Sequence, residues 1–127
     1  MVHKVSLMVR SYECDLQGIV NNAVYQNYLE YARHEFLKEK GIDFVKMHDA
    51  GKDLVVVRAE LDYKSPLRSD ENFYVESTFS REGKIKWKFS QDIIREDGKL
   101  MLHAEIKGAC LNPAGKPITC EELDLLT

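Results

Sequence analysis

Asp15 opens a short turn, Asp15-Leu16-Gln17-Gly18, just ahead of the residues that begin the one long amphipathic stretch of the chain. A helix start carries unpaired backbone N–H groups and a partial positive charge. A carboxylate beside it supplies two parts of an acyl-transfer centre. One is a nucleophile or general base, and the other is a donor for a developing oxyanion. Asn21 or Asn22 suits the N-cap, and the free amides of that helix start are the candidate donors. The Asn22 side chain has two readings: it orients a reactant, or it only caps the helix. Asp15 has two as well, because aspartate is also a common turn residue. Gly18 fits a backbone angle that a Cβ opposes, which an ordinary turn glycine explains equally.

Other reactive side chains carry weaker patterns. Cys14 adjoins Asp15, but no histidine is near it in sequence, and strand alternation points the two side chains apart. Glu30 and Arg33 are spaced to pair on one helix face. Glu30 and Glu35 are further carboxylates on that helix. His3, His34, His48 and His103 show no metal-ligand spacing and read as surface or lightly buried residues. Cys14, Cys110 and Cys120 are an odd number without zinc-site spacing. Lys84, Lys86 and Lys88 repeat at period two and so share a strand face, a basic patch within a chain of net charge −3. Such a run is also the usual pattern of a solvated strand.

The elements that must position these groups follow from periodicity. Val5, Leu7 and Val9 alternate over His3 to Tyr12 and predict a strand. From Ala23 to about Lys40, Tyr25, Tyr28, Leu29, Ala32, Phe36 and Leu37 recur at spacings of three and four, and Gly41 is a natural stop. The helical spacing of Tyr25 suits core packing as well as a binding pocket. A short helix is expected at Phe44 to Ala50. Strands follow at Leu54 to Lys64, Asn72 to Ser80, Lys84 to Arg95 and Leu100 to Leu111, with a hairpin signal at Asp97-Gly98. In the last strand Leu100, Leu102, Ala104 and Ile106 form the apolar face. The tail from Glu121 to Thr127 fits a short helix or an edge. Short connections favour an antiparallel sheet. One helix covers one sheet face only, so the other is wet or buried against a second subunit.

The whole chain sets limits. Its 127 residues, 44% apolar and 31% charged, suit one domain with a single core. No apolar run is long enough for a transmembrane helix. A net charge of −3 gives no general attraction to nucleic acid or to acidic membranes. The N-terminus lacks a signal-peptide pattern. The expectation is therefore a cytoplasmic protein with reduced thiols.

The run Tyr12-Glu13-Cys14-Asp15-Leu16-Gln17-Gly18-Ile19-Val20, with Asn22-Ala23-Val24-Tyr25, Tyr28-Leu29-Glu30, Ala32-Arg33 and Glu35-Phe36-Leu37, resembles the hotdog-fold acyl-CoA thioesterases. The 4-hydroxybenzoyl-CoA thioesterase-like group is the nearest type, and Tyr63-Lys64-Ser65-Pro66-Leu67-Arg68 with Asp70 also looks like that family. The resemblance implies an α+β hotdog fold over residues 1–127, a long central helix wrapped by a curved antiparallel sheet of about five strands. It implies an acyl-CoA thioesterase with the catalytic carboxylate at Asp15 and a carbonyl-polarising N–H at Asn22. Substrate contacts fall at Gly18, Val20 and Tyr25. The phosphates of coenzyme A call for cations, with Lys84, Lys86 and Lys88 the first candidates and Arg81, Lys64 or Arg68 the others. No cofactor or metal is implied, coenzyme A being part of the substrate. The implied partner is an acyl-CoA or acyl-carrier substrate, and the assembly a homodimer or homotetramer. Many bacterial relatives have histidine where this chain has Asn22, so histidine-assisted chemistry does not carry over. Two other classes fit the same fold: an acyl-CoA-binding module without catalysis, and a hydratase or dehydratase acting on carrier-bound chains. The second needs a paired histidine and acid, and no histidine lies near Asp15.

Overall fold

The aromatic stripe forms a single helix, α1 (Asn22–Glu39), one residue earlier than its apolar pattern begins. Asn21 is the N-cap, and its side-chain oxygen accepts the Ala23 N–H at 2.9 Å. At the other end Gly41 takes a φ of +79°, and its N–H closes on the Lys38 carbonyl. Leu29, Ala32 and Phe36 have no solvent exposure, so this face lies against the sheet. The short α2 (Phe44–Asp49) is capped by Asp43, which accepts from Val45 and Lys46 N–H.

The computed structural model describes residues 1–127. Around α1 run β1 (His3–Met8), β2 (Asp53–Tyr63), β3 (Asn72–Glu82), β4 (Lys86–Arg95), β5 (Leu100–Leu111) and β6 (Pro117–Ile118). All pairings are antiparallel, in the order β1-β3-β4-β5-β2, with β6 beside β5. The sheet thus has six strands rather than about five. The extra one is a two-residue ladder at Cys110–Ile118 and Leu111–Pro117, too short to leave a periodic signal. The tail forms a 3-10 turn over Glu121–Leu126, with Leu123 and Leu126 sunk into the core.

Alternation sorts the sheet into an inner and an outer face. Phe73, Val75, Phe89, Ile93, Leu102, Ala104 and Ile106 point inward and are buried. Glu76, Asp92, His103 and Glu105 occupy the alternate positions and stay partly exposed. On this outer face His103 bonds to Asp92 at 2.6 Å and to Glu105 at 3.2 Å.

Several expectations require correction. Leu100 is exposed and Met101 buried, because a bulge between Ile93 and Ile94 shifts the β4–β5 register and reverses the alternation there. A second irregularity, between Val56 and Arg58, interrupts the β2–β5 ladder inside the Leu54–Val57 run. β4 starts at Lys86, so Lys84 lies in the preceding turn and not on the strand face shared by Lys86 and Lys88. Arg33 does not pair with Glu30. It is buried and donates to Gln91 Oε1 at 3.0 Å, and Gln91 in turn donates to the Leu29 carbonyl and Ser77 Oγ. His3 is also buried, stacked on Phe36 at 4.9 Å and bonded to Glu39.

Candidate active site

The turn that carries Asp15 is closed by its own backbone. Asp15 N–H donates to the Ile19 carbonyl at 2.9 Å, and Gly18 N–H donates to the Asp15 carbonyl at 3.0 Å. Gly18 sits at φ +78° with nothing near a would-be Cβ, so backbone conformation alone selects glycine there. The returning limb is fastened to the segment after β2. Ile19 bridges to Arg68, and Val20 N–H donates to the Leu67 carbonyl at 2.9 Å. Asn21 N–H reaches back to the Glu13 carbonyl. These bonds fix where α1 begins relative to both loops.

A cleft of about 240 Å³ opens at that start. Ile19, Val20, Asn22, Tyr25, Tyr63, Lys64, Ser65 and Pro66 line it. Asn22 is the first residue of α1, and its backbone N–H has no hydrogen-bond acceptor. It is therefore an open donor at the positive end of a helix dipole. Tyr25 lies on the helix face beneath, its hydroxyl accepting Leu67 N–H at 3.0 Å. Burial is the main cause that pushes the Tyr25 phenol above its ordinary pKa, so it stays protonated. Tyr63 stands opposite on the last residue of β2, edge-on to Tyr25 with ring centroids 5.5 Å apart.

Four of the residues picked out in the sequence, Val20, Asn22, Tyr25 and Lys64, thus meet in one cleft. Asp15 stands beside it and not among its walls, across the hairpin from Ile19. Its Oδ1 accepts Gln17 N–H at 3.0 Å. With its amide turned to donate, the Gln17 side chain also reaches both oxygens, at 2.8 and 3.1 Å. The carboxylate is solvent-exposed in this arrangement. Glu13, beside Cys14, accepts from buried Tyr28 at 2.9 Å and from Arg10 N–H at 2.7 Å.

The lysine run is not brought to this cleft within one chain. Lys86 and Lys88 lie on the β4 end that carries Trp87 and Phe89, and Phe89 packs on Phe36, about four turns along α1 from Asn22. The cations beside the cleft are Lys64, which lines it, and Arg68, which pairs with Ile19. His34 packs its ring on Phe44 at 4.6 Å and faces Glu30, on a different side of α1 from the cleft. Residue type alone gives Tyr63, Ser65 and Pro66 no chemical role. Their signal was present in the Tyr63-Lys64-Ser65-Pro66 run, but only the fold shows that the run turns toward Asn22.

Comparison with known proteins places this geometry in context. Residues 17–102 match the family model of the thioesterase superfamily; the match begins just after Asp15. An acyl-acyl carrier protein thioesterase from the chloroplast of Arabidopsis thaliana is 39% identical over 93 residues, 73% of this chain and 49% of that protein. The chain therefore spans about half the length of that relative. A crystal structure of a hypothetical protein from Aquifex aeolicus is 33% identical and superposes with a TM-score of 0.90, covering 98% of both chains. The 1,4-dihydroxy-2-naphthoyl-CoA thioesterase of Synechocystis, 17% identical, superposes with a TM-score of 0.90 over 96% of this chain and 91% of its own. The architecture is the hotdog fold.

Proposed function

We propose, on the premise that the chain belongs to the thioesterase superfamily, that it hydrolyses an acyl thioester of coenzyme A or of an acyl carrier. The observation that carries this reading is the unoccupied Asn22 N–H, which opens at the head of α1 into a cleft with a carboxylate on the adjoining hairpin. The Asn22 amide accepts the charge that develops on the carbonyl oxygen, a contribution of roughly 3 kcal/mol for one such donor. Asp15 acts in one of two ways. It attacks the carbonyl carbon and expels the thiolate as a mixed anhydride forms, which water then opens. Or it takes a proton from a water that attacks directly. Either route consumes one water and yields a carboxylic acid and a thiol. Asp15 leaves its bonds with Gln17 to reach the carbonyl.

Gly18 gives the turn its shape, and Val20 and Tyr25 form the apolar floor under the acyl group. Lys64 and Arg68 are the cations nearest to meet phosphate groups from the same chain. Lys84, Lys86 and Lys88 serve that role only for a ligand extending far from Asn22, or toward a second copy. No metal or redox cofactor enters this scheme. No helix is long and apolar enough to cross a membrane. We place the protein in the cytoplasm and expect a homodimer or homotetramer.

The hydratase or dehydratase reading loses ground because His34 lies away from the cleft and from Asp15. The binding-module reading keeps one observation in its favour, the Asp15 carboxylate engaged in its own turn. A panel of acyl-CoA esters with a thiol reagent separates the two. Released thiol supports hydrolysis, and binding without release supports the module. We expect Asp15→Asn to lower hydrolysis by about 100-fold or more, with an unchanged melting temperature. Full activity in that variant removes Asp15 from the mechanism.

A further inference from the structure

Tyr63 is the one aromatic wall of the cleft that the core does not hold. Its backbone is fixed on both sides. Tyr63 pairs with Leu102 in the β2–β5 ladder, and the next two N–H groups, of Lys64 and Ser65, both donate to the Met101 carbonyl, at 2.9 and 3.1 Å. Its side chain is not fixed. The ring is 51% exposed, whereas Tyr25 against it is 3% exposed. The Tyr63 hydroxyl donates to the Asn22 carbonyl at 3.4 Å, a long and therefore weak bond. The contact across the cleft is thus one rigid ring and one ring that turns about its own side-chain bonds, latched to the first residue of α1.

We infer that Tyr63 determines specificity: its ring is the adjustable wall that limits the bulk of the acyl group reaching Asn22, and its hydroxyl latches that wall to α1. This rests on the reading of the cleft as a thioester site. The physical reason is the pairing of the two tyrosines. The floor residues Val20 and Tyr25 are buried at 2% and 3% exposure and cannot yield without disturbing the core. Ile19 is fixed by its backbone bonds to Asp15 and Arg68. Of the two rings that meet across the cleft, only that of Tyr63 can swing toward solvent at little cost to the core. A small acyl group fits with the latch closed. A bulky one has to push the ring out, breaking the bond to Asn22 and losing the edge-to-face contact with Tyr25, which is why it binds more weakly.

The test uses two non-hydrolysable thioether analogues of coenzyme A, S-propyl-CoA and S-phenacyl-CoA, and measures the dissociation constant of each by calorimetry. In the unaltered protein S-propyl-CoA binds more tightly. Tyr63→Ala shifts the ratio of the two constants toward the bulky analogue by about tenfold, with the melting temperature unchanged. Tyr63→Phe, which keeps the ring and lacks the latch, leaves S-propyl-CoA unchanged and tightens S-phenacyl-CoA by about threefold, the part of the bulky ligand's penalty that breaking one weak hydrogen bond accounts for. A ratio that Tyr63→Ala leaves unmoved overturns the inference, and so does Tyr63→Phe shifting the ratio as far as Tyr63→Ala. If the unaltered protein binds neither analogue, the wall assignment fails together with the cleft. If it binds both with the stated ratios but releases no thiol from any acyl-CoA, the wall stands and hydrolysis falls.

Discussion

Gly108 on β5 leaves no room for a side chain. A Cβ built there comes within 2.1 Å of the Trp87 ring and 2.3 Å of the Val55 carbonyl oxygen. The ring is buried and the carbonyl is backbone of the neighbouring strand, so neither gives way easily. Gly108→Ala is expected to destabilise the fold by about 1–3 kcal/mol, as overpacking does, read as a lower urea midpoint with an unchanged slope. That constraint is invisible in the sequence, where Gly108 is one small residue within an alternating strand. The turn chemistry is different, since Asp15, Gly18, Asn21 and Asn22 announce themselves by residue type alone. What their types could not give is direction. The Asp15 carboxylate bends back to Gln17, a choice made by local hydrogen bonds that spacing does not encode.

At the scale of elements, the closing 3-10 turn is held by a small ionic cluster. Glu122 accepts from the Cys120 thiol at 2.9 Å and from Lys52 at 2.8 Å. The Cys120 thiol and then Lys52 hold the Glu122 carboxyl well below the usual range, down to about 2. Burial, and then Glu122 itself, pushes the Cys120 thiol up to about 12. The sign for Glu122 is that of a depressed acid. Its contribution to stability is complete above the ordinary value of 4.5 and is lost as pH falls from there toward about 2. Thermal melts at pH 6 and pH 3 should therefore show a smaller acid loss for Glu122→Gln than for the unaltered chain. Long periodic elements such as α1 and β3 were readable because one face repeats many times. The tail was not, since its structure depends on a two-residue ladder and on a lysine far back in the chain. The Leu100–Met101 reversal is not legible for a related reason: it comes from the pairing with β4, which leaves Met101 as an extra residue between Leu100 and Leu102.

For the whole molecule, the two edges of the sheet are unequal. β1 is six residues long. β2 is an eleven-residue edge with Val56 at 49% and Val57 at 60% exposure. A long edge with exposed apolar side chains invites pairing with another chain, and this supports a second copy joined along β2. Light scattering is expected to give twice the chain mass or a multiple of it, and Val56→Asp to shift the mass toward the single chain. The strand order has one more effect, on the newborn chain. β2 leaves the ribosome well before its only partner in the sheet, β5, has been made. For a delay on the order of seconds, Leu54-Val55-Val56-Val57 waits without a mate. Arg58, Glu60 and Asp62, which follow at once, are charges of the kind that keep such a run from joining its neighbours on the polysome.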